Sequence, residues 1–189
     1  RAKKPGTFKD KHYHRIYSAA DSGNYGCELW IANSNPYCKN VGPENLSVML
    51  SEPRLLVVVS RQVKFMAIVA HAPWSKATGC TEWWLDITER LPPLIKSFNN
   101  IILMIDANTN LGASQTSFVG PMGGPESEHA YLFRNFLNKT NIRLPGTFTE
   151  NAATENFEDL TTWQSNKNGH RSRIDFIGFT QPISVSPGT

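Results

Sequence analysis

Two polar residues, Asp106 and Asn108, directly follow the fully apolar strand pattern of residues 101–105 (IILMI). Reacting groups of α/β proteins commonly lie at the carboxyl ends of such strands. An aspartate there can accept a proton from water or hold a metal ion, and an asparagine two residues later can donate its amide to a phosphate oxygen. Both residue types also form turns, so a purely structural turn is the alternative.

A histidine, His71, occupies the same kind of position at the end of a second apolar run, FMAIVA, before Ala72 and Pro73. The proline requires the chain to leave the sheet there. A histidine at a strand end can act as a general acid toward a leaving oxygen. The alternative is a structural histidine beside an apolar strand.

Asp175 interrupts a third apolar pattern, between Ile174 and Phe176. A buried carboxylate is costly unless it is paired or hydrogen-bonded, so the pattern predicts an arginine, histidine or metal partner. If that face of the strand is exposed, Asp175 is only a charge on an edge strand. Several residues before Asp175 could contact phosphate or DNA through their charge or a flat ring: Thr162, Trp163, His170, Arg171 and Arg173. For Trp163, a position in the core is the alternative.

The elements that must position these groups are mostly strands. Alternating or β-branched runs predict strands, and the pair split by residues 60–62 predicts a hairpin. The predicted strands cover residues 24–32, 55–59, 63–70, 101–105 and 174–179. Strands outnumber helices, which favours paired sheets covered by a few helices.

Two helices and two long loops complete the predicted architecture. Trp83, Trp84, Ile87 and Leu91 share one face of a helix over residues 81–91, which the Pro92-Pro93 pair should break or restart. Ser127 is predicted to cap a second helix that runs to about Lys139. Turn-forming residues predict loops at 33–45 and 109–126.

Composition narrows the classes of protein that this chain can belong to. With 40% hydrophobic and 19% charged residues among 189, it is not a disordered polar chain. The longest apolar runs are far shorter than the roughly 20 residues of a membrane-spanning helix, so no membrane association is predicted. Three cysteines without a Cys-x-x-Cys pair argue against a disulfide scaffold and a structural zinc site and favour an intracellular location.

Charge is concentrated at the start of the chain. The net charge is +3, and the first fifteen residues contain six basic residues against Asp10 alone. Such a segment favours polyanions such as nucleic acid. A solvated surface segment is the alternative.

Four short motifs follow one another along the chain: HAP at 71–73, IDANTNLG at 105–112, TTW at 161–163 and RIDFI at 173–177. Their series resembles the endonuclease/exonuclease/phosphatase superfamily, over about residues 24–179. The segments at 23–33 and 129–150 are similar to the endonuclease domains of non-LTR retrotransposons. The resemblance implies an α/β fold, a two-sheet α/β sandwich of the DNase I-like type. Ile105 and Ala107 depart from the motif, where the family usually has Gly and an aromatic residue.

The resemblance also implies roles for the polar residues. Asp106 would align or deprotonate the attacking water and is a possible metal ligand, and Asn108 would hold the scissile phosphate. His71 would be a general acid or transition-state donor, and Asp175 would orient a catalytic histidine. Thr162 and Trp163 would support a DNA-facing loop, and Arg171 and Arg173 would bind phosphate.

The family also has a metal-holding glutamate near its start and a Ser-Asp-His segment near its end, and neither motif is present here. Residues 1–189 are therefore predicted to form one incomplete domain of a longer polypeptide, truncated at both termini and nearly inactive alone.

The predicted function is phosphodiester hydrolysis with Mg²⁺ or Mn²⁺, as a DNA endonuclease of the retroelement, reverse-transcriptase-associated type, in the nucleus. Two alternatives remain at this point. One is a phosphatase or phosphodiesterase of the same fold acting on a lipid or inositol phosphate. The other is an inactive retroelement remnant that only binds nucleic acid.

Overall fold

A computed structural model describes residues 4–20, 26–33, 45–148 and 161–180. Within these ranges two α-helices, α1 (Cys80–Ile95) and α2 (Ala130–Thr140), and a short 3-10 helix (Pro145–Thr147) accompany ten strands. The strands are β1 (Gly6–Lys9), β2 (Tyr13–Tyr17), β3 (Glu28–Ala32), β4 (Ser47–Glu52), β5 (Leu55–Ser60), β6 (Phe65–His71), β7 (Asn100–Asp106), β8 (Trp163–Gln164), β9 (Arg171–Ser172) and β10 (Asp175–Phe179).

The strands form two packed sheets and a short ribbon. One sheet has the order β10-β7-β6-β5-β4, another has the order β1-β2-β3, and β8 pairs with β9. Among these described strands, β6 and β7 pair in parallel and the other pairs are antiparallel. This arrangement confirms the predicted two-sheet α/β sandwich.

Alternation along β5 explains the layers. Leu55 and Val57 face the helices, where they share a core with Trp84 of α1 and Phe133 of α2. Leu56 and Val58 face the other way and share a smaller core with residues of the three-stranded sheet, including Ile16. Because successive side chains point to opposite faces, a run of six buried residues supplies both cores.

Several predicted boundaries change. Helix α1 continues through Pro92 and Pro93, so the predicted break is wrong. A proline already has a helical φ and disrupts mainly the bonds one turn before it, and the buried Leu91 and Ile95 hold this last turn against the core.

Helix α2 begins at Ala130 rather than after Ser127, and no described side chain caps its N-terminus. The Ser127 hydroxyl instead accepts the backbone N–H of Asn110 at 2.9 Å, which ties the long loop to the helix. Strands β1, β2 and β4 lie where the sequence analysis predicts none. No helix in the described ranges has the length and apolar character needed to cross a membrane.

Candidate active site

Three of the residues predicted to carry chemistry lie in one row across three neighbouring strands. His71 at the end of β6 is in register with Asp106 at the end of β7, and Asp106 is in register with Asp175 at the start of β10. Because side chains alternate between the two faces of a strand, all three lie on the face of the five-stranded sheet that is opposite the helices. Further along the same face lie Val69 and Met104. Three segments distant in sequence therefore converge at one sheet end.

The nearest pair in this row is His71 and Asp106. The His71 Nε2 lies 3.6 Å from the Asp106 Oδ2, and each side chain is 34% exposed. This distance is longer than a good hydrogen bond. The pair is accessible to a ligand, which can approach both groups from solvent.

Asp106 has a raised pKa. Burial is the largest cause, and the neighbouring Asp175 carboxylate raises it further, while the Asn108 backbone N–H, His71 and Arg54 lower it. Both raising effects act by disfavouring the charged form. A carboxylate of this kind gains from a nearby cation and is a stronger base than an ordinary aspartate.

Asn108 forms the turn that holds Asp106. Its φ is +48°, a left-handed conformation that asparagine tolerates better than most residues. Its backbone N–H donates to the Asp106 Oδ1 at 3.0 Å, and its Nδ2 donates to the Ala72 carbonyl at 2.8 Å. The side chain thus ties the ends of β6 and β7 together, and its predicted contact with phosphate stays a prediction.

Arg54, a residue that the sequence analysis missed, anchors the end of β6. Its guanidinium donates to the carbonyls of His71 at 3.2 Å and Ala72 at 3.3 Å. Its charge also lowers the pKa of Asp106. No local pattern marks Arg54, because its role depends on β5 lying beside β6.

Thr162 fixes the start of β10. Its Oγ1 accepts the backbone N–H groups of both Ile174 and Asp175, each at 3.1 Å. Trp163 lies next to it in β8 and is exposed, so it is not a core aromatic. Thr162 therefore positions the row through Asp175, while the Trp163 ring is open to a ligand.

The two predicted phosphate-binding arginines differ in environment. Arg171 is exposed in β9. Arg173 is partly buried, which lowers its pKa; it donates to the Gly146 carbonyl at 2.9 Å and lies 5.7 Å from the Phe176 ring centre. Arg173 therefore also supports the local backbone.

A cavity of about 720 Å³ opens beside this row. Asp106, Asp175, Thr162 and Arg173 supply its polar groups, and the rest of its lining is largely apolar, from β6, β7 and β10. Ligand sites usually combine an apolar lining with a few converging polar groups. Two residues of the row, Asp106 and Asp175, thus line a ligand-sized space.

The two carboxylates of the row, Asp106 and Asp175, suit a divalent-metal site shared with substrate and water. Asp106 and Asp175 are side by side, and Mg²⁺ is commonly held by one or two carboxylates together with water and substrate phosphate. Within the described ranges no group of three or more His, Cys, Asp or Glu side chains could hold a metal ion. The carboxylate pair therefore fits a shared Mg²⁺ site completed by substrate and water, and does not fit a structural metal cage.

We expect Asp106→Asn to raise the melting temperature at about pH 7 in metal-free buffer. A raised carboxyl pKa means that the folded state binds the proton more tightly than the unfolded chain, so stability falls as pH rises from the ordinary value of 3.8 through the folded pKa. Asparagine removes the charge and keeps an oxygen for the Asn108 N–H. The gain should disappear below the ordinary pKa, where both proteins are uncharged at this position.

Thermal unfolding with EDTA at about pH 7 and about pH 3 measures this difference. A variant that melts at or below the unsubstituted protein at about pH 7 would show that ionised Asp106 does not strain the fold.

Comparison with known proteins identifies the fold. No protein-family model matches the sequence, and no curated protein matches it. A solved 3′-5′ exonuclease (NExo) from Neisseria meningitidis is similar with a TM-score of 0.61 and 12% identity, over 89% of this chain and 67% of that chain. A solved structure of the 3′ phosphatase NExo from Neisseria, bound to product DNA hairpin, is similar with a TM-score of 0.57, at the same identity and coverage. The fold is DNase I-like, as predicted.

Proposed function

We propose that this protein is a divalent-metal-dependent phosphodiester hydrolase that acts on DNA, as an endonuclease of the retroelement type. The row of His71, Asp106 and Asp175 beside a cavity is the observation that carries the proposal. The two structural neighbours, one named as an exonuclease and one bound to product DNA, support this class of substrate. A nuclear location and a reverse-transcriptase context belong to the same proposal, and an adjoining reverse-transcriptase reading frame would support them.

The residues divide the reaction among them. Asp106 aligns a water molecule and accepts its proton. His71 donates a hydrogen bond or proton toward the leaving oxygen. Asp106, with Asp175 beside it, would hold Mg²⁺ or Mn²⁺, which when bound neutralises phosphate charge and stabilises the leaving group. Asn108 ties the ends of β6 and β7 together and Arg54 anchors the end of β6, so that little reorganisation is needed when substrate binds.

Exposed Arg171 and the exposed Trp163 ring extend the site along the ribbon of β8 and β9. Contacts with phosphate dominate the affinity of proteins for nucleic acid, and a flat ring can pack against sugar or base. These two side chains are the proposed DNA contacts on the ribbon.

A plasmid assay tests the proposal. Supercoiled DNA should become open-circular with Mg²⁺ or Mn²⁺ and stay supercoiled with EDTA. The assay should include the 189-residue chain and the chain extended along its reading frame in both directions, because the sequence predicts that further residues complete the site. Cutting that persists in EDTA, or no cutting by either form with fresh metal, would contradict the proposed function. Equal activity of both forms would contradict only the predicted incompleteness.

A second candidate, hydrolysis at a DNA 3′ end, rests on the names of the structural neighbours. A duplex with a 3′ phosphate and one with a 3′ hydroxyl distinguish it from nicking. Release of phosphate or of mononucleotides without plasmid nicking would replace the endonuclease assignment and keep the hydrolase class.

A further inference from the structure

The outer face of the three-stranded sheet is unusually rich in aromatic side chains. Ile16 and Leu29 point inward to the core shared with the five-stranded sheet. Alternation then places their neighbours in sequence on the opposite face. In register across that face are Phe8, Arg15 and Trp30. We call this surface, together with Tyr13 and Tyr17, the aromatic face.

A polar network holds these rings in place. The Arg15 guanidinium lies 5.0 Å from the Tyr17 ring centre and 5.4 Å from that of Trp30. Glu28 accepts hydrogen bonds from Arg15 at 2.7 Å and from the Trp30 Nε1 at 3.1 Å. The Tyr13 ring meets Trp30 edge-on, with centres 5.8 Å apart. The rings of Tyr13, Tyr17 and Trp30 are therefore ordered before any ligand arrives, which reduces the entropy lost on binding.

The rings of the aromatic face are accessible to a ligand. Phe8 is 56% exposed, Trp30 is 53% exposed and Tyr13 is 43% exposed. A contiguous group of exposed aromatics usually marks an interaction site. Since Phe8 and Trp30 lie on strands on either side of Arg15, they offer two separate stacking surfaces.

The charge around the aromatic face favours an anionic partner. Exposed Lys4, Lys9 and Lys11 lie on and beside the β1–β2 hairpin. Asp10, the acidic residue of that turn, is engaged in accepting the backbone N–H groups of His12 and Tyr13 at 2.6 and 2.7 Å. Basic side chains next to exposed rings are the combination that binds single-stranded nucleic acid, through phosphate contacts and base stacking.

We propose that the aromatic face binds single-stranded nucleic acid, with bases stacked on Phe8 and Trp30 and phosphates contacting Lys11 in the β1–β2 turn. The face lies on the side of the three-stranded sheet that points away from the five-stranded sheet, and therefore away from Asp106. The binding proposed here does not depend on the hydrolase activity. A protein partner is the competing occupant, but the hairpin's lysines favour phosphate.

Fluorescence anisotropy with a labelled oligothymidylate, in EDTA to prevent cleavage, tests this site. We expect the double variant Phe8→Ala/Trp30→Ala to raise the Kd for the oligonucleotide about tenfold or more, because each stacked base contributes substantially. Affinity for a blunt duplex should change less than about twofold, since paired bases cannot stack on the rings. Tyr131→Ala is the matched control, because it removes a ring on α2 that is as exposed as Phe8. It should change neither the affinity for the oligothymidylate nor the affinity for the duplex.

A further change tests the charge. Lys11→Gln should reduce the slope of log Kd against log salt by about 0.7, the value for one phosphate contact on a single strand. If Trp30→Ala lowers the melting temperature, Phe8→Ala alone, at an exposed position in an edge strand, should still weaken binding severalfold. Unchanged oligothymidylate affinity in the ring variants, or equal loss in Tyr131→Ala, would overturn the proposal and leave a protein as the occupant.

Discussion

Replacing Asp106 with alanine is expected to lower the rate of metal-dependent DNA hydrolysis by about 100-fold or more, the scale for losing a group that stabilises the transition state. Asp106 is at the centre of the row, next to both His71 and Asp175. In the proposed mechanism it both aligns water and holds the metal. Substitution removes both contributions at once.

The measurement is the initial rate of plasmid nicking at saturating Mg²⁺, in the form of the protein that shows activity. Glu89→Gln is the control, because it removes an exposed carboxylate on α1 outside the row. Asp106→Asn should be nearly as inactive as Asp106→Ala while staying folded. A folded Asp106→Ala variant that nicks within a few fold of the unsubstituted rate would show that the residue only forms a turn.

Replacing Trp84 with alanine is expected to reduce the free energy of unfolding by about 3–5 kcal/mol, the usual range for a buried large aromatic. Trp84 is fully buried between α1 and α2, and its ring centre lies 5.1 Å from that of Phe133 and 6.2 Å from that of Phe136. Alanine would leave a cavity between the helices that cover the sheet. The loss is a large share of the roughly 5–15 kcal/mol of a whole domain.

Urea unfolding followed by circular dichroism measures the loss. Trp163→Ala, which removes an exposed tryptophan, should change stability by less than about 0.5 kcal/mol. Trp84→Phe should cost less than Trp84→Ala, since it keeps an aromatic ring and removes an indole N–H that has no hydrogen-bond partner within the described part of the chain. Similar losses in Trp84→Ala and Trp163→Ala would show that the helix layer is not packed around Trp84.

The environment of the two tryptophans illustrates a limit of sequence reasoning. Trp84 lies between Trp83 and Leu85, and Trp163 lies between Thr162 and Gln164. The helical spacing of Trp84 with Ile87 and Leu91 already indicated a buried face. Trp163 had no such pattern, and its exposure follows from the two-residue strand β8, which pairs with β9 in a ribbon outside both sheets.

Asp175 shows the same limit for charge. The sequence left two possibilities, a buried carboxylate with a partner or a charge on an edge strand. In the structure Asp175 is exposed at the first position of β10, which is an edge strand of its sheet in the described part of the chain. The second possibility, an exposed charge on an edge strand, is therefore correct. The predicted role of Asp175 in orienting a histidine stays a prediction.

The sequence by itself determined which residues stand at strand ends. Apolar runs followed by His71 and Asp106 need no tertiary information, because a buried strand must end where polar residues and turns begin. The order of four short motifs was enough to predict the two-sheet sandwich. Local pattern also located both helices, although not their ends, since caps and prolines respond to the packing around them.

Only the tertiary structure decided which of these strand ends meet. His71, Asp106 and Asp175 share a row because β7 pairs in parallel with β6 and antiparallel with β10, and a shift of one residue would turn an aspartate to the helix side. The register is set by the burial of many apolar side chains on both faces at once. Arg54 became part of the site for the same reason: it lies beside His71 only because the register of β5 with β6 brings it there.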